Sequence, residues 1–374
     1  MPILDQNILD LPIQKTISVR LEPAHNAVYS LMLVAKSRHV SGFSKWVTQT
    51  AESMSEEEWR RHELVMVGLY YAAAPARSWS SFPAYLDHLA VMDPTALQEK
   101  LMNAYMNIQA CEDGPEPGGA TQALMDQRTA LSSLESYLRF LRQHFDESHI
   151  DVDLETRAYA YVTQPAKMQA LIVSHLNEMW EHYLAQEWER VKPMLQDSVR
   201  AFNAIDFSSM SKLEAAEFIT GQDLQASKWE PILNSAQKII FVPNAHNGPY
   251  LGHFTTEDAS GIFFGARLPK GIQMEAPDLS RNELLVRLSA LADDSRLRIL
   301  KLIADRGEMR SQEIIQTLDL SQSAASRHLT QLSASGYLNE RRCEGAKCYT
   351  LNNERLDETM SALSNFLQSS RTAG

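Results

Sequence analysis

The chain has 374 residues, 44% of them apolar, and a formal net charge of -12. That length suggests two or three domains with packed cores, and three cysteines are too few for the disulfide framework of a small secreted scaffold. No basic N-terminal start leads into an apolar run, and no stretch approaches the roughly 20 apolar residues that span a bilayer, so a cytoplasmic protein with no membrane partner is expected.

Residues 1–270 read as mostly helical with strands at both edges. Ile17-Ser-Val-Arg-Leu21 alternates like a half-buried strand ahead of a helix from about Ala24 to Ala35. Ser55-Glu-Glu-Glu58 is a capping box that opens a long helix through Tyr71, its acidic run suiting the helix dipole. Asp93-Pro94 starts another helix, with proline in the first turn where its missing N–H does no harm. Glu112–Gly119 is the clearest loop, expected to be sensitive to nicking, and Cys111 beside it carries no role. Long helices are expected over Thr121–Phe145 and Pro165–Phe202, the second with Met168, Ile172, Leu176, Met179 and Tyr183 on one face. From Lys238 the pattern changes to strands at 239–242, 250–254 and 262–266, with turns at Asn247-Gly-Pro and Ser260-Gly, which predicts a small antiparallel sheet. Pro269–Pro277 looks like a linker.

The densest signal lies after it. Asn282–Ala292 is amphipathic, Asp294 is placed to cap a second helix over Ser295–Ala304, and Leu297, Ile299, Leu300, Leu302 and Ile303 of that helix are expected inside. Ser311–Leu318 forms a third helix, and Asp319-Leu320 turns tightly into Ser321-Gln-Ser-Ala-Ala-Ser-Arg-His-Leu329. Here Ala325, Leu329 and Leu332 make one apolar stripe, while Gln322, Ser323, Ser326, Arg327 and Thr330 fall on the other side. Those polar types suit a DNA groove: Gln bonds adenine bidentately, Ser serves either edge, and Arg forks onto guanine or holds a phosphate. Gly336 ends the helix, and Tyr337–Arg342 and Lys347–Leu351 alternate as strands joined by Glu344-Gly345-Ala346, a hairpin turn. Gln322, Ser323, Ser326 and Arg327 are thus expected to read a major groove with His328 near the backbone. Arg341, Arg342 and Lys347 on the hairpin are expected to hold phosphate or the minor groove.

The acidic net charge does not contradict this. Residues 281–352 hold 11 Lys+Arg against 9 Asp+Glu, a balance of +2, whereas the rest of the chain carries -14. The basic charge is local to the recognition helix and the wing, where only Glu340 and Glu344 offset it, and an acidic body repels DNA elsewhere.

Residues 282–368 resemble the winged helix-turn-helix of ArsR-family bacterial transcription regulators. Ala290-Leu-Ala-Asp-Asp-Ser-Arg-Leu-Arg-Ile-Leu300 is similar to the family's opening segment, with Asp294 where proline is common, and Leu320–Leu329 is similar to its recognition helix. The resemblance implies a homodimer on an inverted repeat of double-stranded DNA, with Asn282–Ala292 and Leu356–Leu367 as the dimer helices. Leu356, Met360, Leu363 and Leu367 do repeat as one apolar face. Metal-sensing relatives place cysteines on the third helix, or His and carboxylates on the last. Ser311–Leu318 has no Cys and no His follows His328, so no metal or other cofactor is expected.

Other constellations invite milder readings. Cys343 and Cys348 flank a four-residue loop and are candidates for a thiol switch on the wing. His246 and His253 lack a carboxylate or thiol at ligand spacing and read as hydrogen-bonded histidines. Trp180, His182, Tyr183 and Trp188 with Met168 and Met179 suit either core or an apolar pocket. No phosphate loop, Gly-x-Ser-x-Gly elbow or His-Glu-x-x-His is present, so an enzyme is not expected. The expected architecture is mainly α (α+β): a helical sensory or interaction domain over 1–270, a linker over 271–281, and a winged helix over 282–374. The expected function is a sequence-specific transcription regulator, a repressor by the resemblance, under a small-molecule or protein effector. The alternative is an enzyme or interaction scaffold carrying the same module.

Overall fold

The computed structural model describes residues 16–107, 126–145, 147, 150–225, 227–269, 277–343 and 345–368. The loop at Glu112–Gly119, Cys111 and residues 270–276 of the expected linker lie outside them. The chain is mainly helical with two small sheets, an α+β arrangement.

The body begins with strand β1 (Ile17–Val19), followed by helices α1 (Pro23–Lys36), α2 (Lys45–Ser53), α3 (Glu56–Glu63), α4 (Tyr70–Ala73), α5 (Phe82–Val91) and α6 (Pro94–Asn107). It continues through α7 (Gln127–Ala130), α8 (Leu134–His144), α9 (Val152–Val162), α10 (Pro165–Met179), α11 (Ala185–Asn203), α12 (Lys212–Thr220) and α13 (Trp229–Ser235). The Ser55 capping box forms as expected, Ser55 Oγ accepting from the Glu58 amide while the Glu58 carboxylate accepts from the Ser55 amide. Its helix reaches Ala73 only through a π-helical turn at Leu64–Gly68, and a second such turn at Trp180–Leu184 joins α10 to α11. The helix expected over Thr121–Phe145 is broken: α7 stops at Ala130, and Ser133 caps α8 by accepting from the Ser136 amide. Serine competes for backbone partners and so restarts a helix rather than continuing one. Met168, Met179 and Trp188 are core, and His182 is exposed.

Strands β2 (Ile239–Asn244), β3 (Gly252–Thr255) and β4 (Ser260–Gly265) form a sheet in the order β1-β2-β4-β3. The antiparallel expectation is corrected: β1–β2 and β2–β4 are parallel, and only β3–β4 is antiparallel. Alternation fixes which residues share a face but not strand direction. The chain leaves β2, runs to the far edge as β3, and returns between them as β4. Both faces of β2 are buried, as central parallel strands require. Ile240 and Val242 face the helical core, while Ile239 and Phe241 face Phe202 and the α12–α13 pair.

The C-terminal part comprises α14 (Pro277–Leu291), α15 (Asp294–Arg306), β5 (Met309–Arg310), α16 (Ser311–Leu318), α17 (Gln322–Ala334), β6 (Leu338–Cys343), β7 (Ala346–Leu351) and α18 (Asn353–Gln368). Helix α14 begins within the expected linker. The cap of α15 is Asp293, accepting from the Arg296 amide, and not Asp294. Arg296, Ile299, Leu300 and Ile303 recur on one buried face of the helix, and Leu297, off that face, is 51% exposed, against the expectation.

Within the helical core, His62 Nδ1 lies 2.9 Å from His175 Nε2, and His62 Nε2 lies 2.9 Å from the Leu31 carbonyl oxygen. Burial pushes His62 down to about 4, opposed only in part by the Leu31 hydrogen bond. The folded protein holds this ring neutral, whereas the unfolded chain protonates it near pH 6.5. Its contribution is therefore complete above about pH 6.5 and is lost as pH falls toward 4, on the order of 3 kcal/mol over that window. Chemical denaturation between pH 7.5 and 4 is expected to show this fall, and His62→Gln to make it shallower.

Candidate nucleic-acid interface

Helix α16 ends on Asp319, whose φ of 51° is the one left-handed non-glycine conformation among the described residues. Asp tolerates that conformation because its short side chain bonds locally, and the reversal aims the chain into the next helix. Ser321 caps α17 by accepting from the Ala324 amide at 3.2 Å. Ala325 is buried, and Leu329 and Leu332 pack in one cluster with Ile299, Ile303 and Ile314, so the opposite face must point outward. Gln322, Ser323, Ser326, Arg327 and Thr330 are all exposed on it.

His328 departs from this face. It is half-buried, its Nδ1 3.8 Å from the Asp293 carboxylate that caps α15, and burial holds it below the usual histidine range despite that neighbour. At neutral pH it is uncharged and sits between α17 and the start of α15.

The wing is the β6–β7 hairpin, which pairs Arg342 with Lys347 and Arg341 with Cys348, and β5 adds a third strand beside β7. Its turn needs Gly345, at φ 79°. Arg341, Arg342 and Lys347 are exposed. The Arg341 guanidinium makes a bidentate pair with Glu308, and Lys347 Nζ lies 2.8 Å from Glu340. Glu308 is a charge the sequence pattern did not connect to the wing, since β5 delivers it from a distant segment. Cys343 and Cys348 form a disulfide across the hairpin, with Cα atoms 6.1 Å apart. The Glu308 carboxylate lies within 4.8 Å of both sulphurs.

A second cluster, in the body, brings together chemistry that sequence reasoning left apart. Ser30 Oγ donates to His246 Nδ1 at 2.8 Å, and His246 Nε2–H donates to Glu187 at 3.0 Å. Burial alone raises the Glu187 carboxyl, but hydrogen bonds from His246 and Arg190 bring it below the usual carboxylate range. Burial also lowers His246, which Glu187 only partly offsets. Ser30 and His246 are deeply buried, and Ser30 Oγ also accepts from the Asn244 amide at 3.1 Å. No substrate reaches such a serine, so the cluster fastens the loop after β2 to α1 and α11. His253 sits apart from it and bonds Ser260.

Residues 293–340, from the cap of α15 into β6, match the arsR family of bacterial regulatory proteins. Over 84 residues the chain is 37% identical to the transcriptional activator HlyU of Vibrio cholerae, which takes in 22% of this chain and 77% of that protein. Through its C-terminal domain, the chain belongs to the arsR family. The arsenic resistance transcriptional regulator ArsR1 of Pseudomonas putida is 50% identical over 52 residues, 14% of this chain and 41% of that protein. The arsR-type domain is thus the DNA-binding part of a transcription regulator, and no described helix is long and apolar enough to cross a membrane. Arg327 is exposed on this face, without a carboxylate within ion-pair distance among the described residues. Arg327→Ala is expected to cost about 1–3 kcal/mol of specific binding and to relax one operator position, read by competition across single-base variants; uniform weakening over all sequences would reassign it to phosphate.

Proposed function

We propose that this protein is a sequence-specific transcription regulator in which α17 reads the major groove through Gln322, Ser323, Ser326, Arg327 and Thr330, while Arg341, Arg342 and Lys347 of the wing hold the flanking backbone. The observation that carries this reading is the outward polar face of a capped helix, beside a basic hairpin, inside the segment that matches the arsR family. His328, half-buried at the edge of this face, lies near the backbone rather than a base.

The regulator works as a homodimer on an inverted repeat, its two α17 helices reading half-sites about one helical turn apart. Helices α14 and α18 pack on each other, yet Leu285 is 52%, Met360 50% and Leu367 64% exposed, with Leu363 half-buried among them. An apolar strip on paired helices is what a second copy covers. Residues 1–270 act as the sensory or interaction domain and 282–374 as the reader, and the last part of the 271–281 joint already belongs to α14. An effector on the body changes the pose of the reader, and the protein acts in the cytoplasm. The buried Ser30–His246–Glu187 cluster gives an enzymatic body no support.

The deciding experiment titrates the full-length protein onto DNA from its own upstream region at several salt concentrations, with Gln322→Ala/Arg327→Ala as control and Met360→Glu as an arm weakening the dimer. Specific binding abolished by the double variant, and reduced to half-sites by Met360→Glu, is the expected result; binding indifferent to the double variant overturns the reading. A reporter fusion then separates repression, the sign expected from the family resemblance, from the activation that the name of HlyU carries.

The Cys343–Cys348 disulfide joins the two strands that present Arg341, Arg342 and Lys347, so thiol oxidation sets the shape of the phosphate-holding element. Reduction is expected to change operator affinity in the wild type and to leave Cys343→Ser/Cys348→Ser unaffected. Equal affinity of the wild type with and without reductant rules the switch out.

A further inference from the structure

Gln331 lies on the recognition helix but is only 2% exposed, and its partners are not those of a DNA-reading residue. Its side-chain carbonyl oxygen accepts from Ser41 Oγ at 2.7 Å and from Arg296 Nη1 at 3.0 Å. Ser41 belongs to the body. Arg296 is buried in α15, where it also donates to the carbonyls of Ala290 and Ser289. One carboxamide therefore joins the body, the recognition helix and the helix behind it.

The body side of this joint is built to approach closely. Gly42, at φ +96°, passes so near that a Cβ there would stand 2.8 Å from the Gln331 amide nitrogen. Gly248, at φ +58°, packs in turn on the Gly42 carbonyl, where a Cβ would lie 2.0 Å away. Tyr250 Oη donates to the Ser41 carbonyl at 2.6 Å, and the Ser44 amide donates to the His246 carbonyl at 3.0 Å. The contact to Gln331 thus runs back, without a gap, to the Ser30–His246–Glu187 cluster. A second tie lies beyond the end of α17, where Arg355 donates to the Ser335 carbonyl at 3.1 Å and to the Gly221 carbonyl of the body at 3.0 Å.

Beside these ties runs an open groove of about 2810 Å³ between body and reader. Arg341, Arg342 and Lys347 line it from the wing, and a wall of mixed charge, with Glu217, Asp223, Lys228 and Arg267, lines it from the body. DNA backbone held by the wing must enter this space, which the body bounds from the other side.

We propose that Ser41 and Gln331 form a latch that holds the recognition helix and wing against the body in a pose that restrains DNA binding. Opening the latch swings the wing away from the body wall and lets it add its phosphate contacts. The latch rests on the reading of α17 and the wing as the DNA-binding surface, and it supplies the route by which the body controls them. Gln331 is a positioning residue: it acts through Ser41 and Arg296 and touches no base.

The test uses the full-length protein with Ser41→Ala and Gln331→Met, and with Gln331→Glu as the conservative variant, whose carboxylate still accepts from both Ser41 and Arg296. Two readouts are taken: affinity and salt slope on upstream DNA, and hydrogen–deuterium exchange of β6, β7 and the last turn of α17. Ser41→Ala and Gln331→Met are expected to exchange faster there, to bind DNA at least about fivefold more tightly, and to steepen the salt slope by about one phosphate contact. Gln331→Glu is expected to match the wild type in both readouts. Unchanged exchange in Ser41→Ala overturns the latch, whatever DNA does, and so does weaker or unchanged DNA affinity in a variant whose exchange has risen. Faster exchange in variants while neither they nor the wild type bind DNA specifically instead removes the DNA reading and retains the joint as a body–reader contact without that function.

Discussion

The burial of β2 on both faces is the constraint from which the rest of the molecule follows. A strand packed on two sides makes one sheet serve two cores, so the helical body and the α12–α13 pair cannot drift apart without exposing Ile239, Ile240, Phe241 or Val242. It also fixes where the strand ends. Asn244 closes β2 by accepting from the amides of His246 and Asn247, and its own amide donates to Asn26 and Ser30 on α1. Asn244 is thus engaged at both ends of its side chain, which ties the turn to α1 and lets it serve as a seat for Gly42 and Ser41. A rigid strand end, rather than a hinge, is what the reader rests on.

The reader was largely legible in the amino-acid sequence because its determinants are local. The apolar stripe Ala325, Leu329 and Leu332, the serine cap and the glycine hairpin act over a few residues, and each takes the conformation its own chemistry favours. The same holds for the capping box at Ser55 and the long α10–α11 run. Locality was not always enough: Asp294 was expected to cap α15, but its neighbour Asp293 does so, and Leu297, expected inside, points outward.

What was hidden depends on contacts far apart in the chain. Parallel pairing of β1 with β2 leaves no trace in either strand's alternation. Glu308 reaches Arg341 only because β5 lies beside β7, and Ser30, Glu187 and His246 come from a helix, a helix and a loop in different regions. Gln331 is the sharpest case. By composition it is one more polar residue on a recognition helix, and only the seat formed by Ser41 and Gly42 distinguishes it from Gln322.

The pairing of β1 with β2 also orders events in time. β1 precedes nearly all the helices of the body and its partner lies beyond them, so the sheet closes only after that whole stretch has been synthesised. Contacts of such long sequence separation form slowly, whereas the contacts within α14–α18 are close in sequence and form fast. The reader nevertheless follows the body in the chain, so the residues that seat Gln331, Ser41 and the turn that ends β2, are already synthesised when α17 emerges.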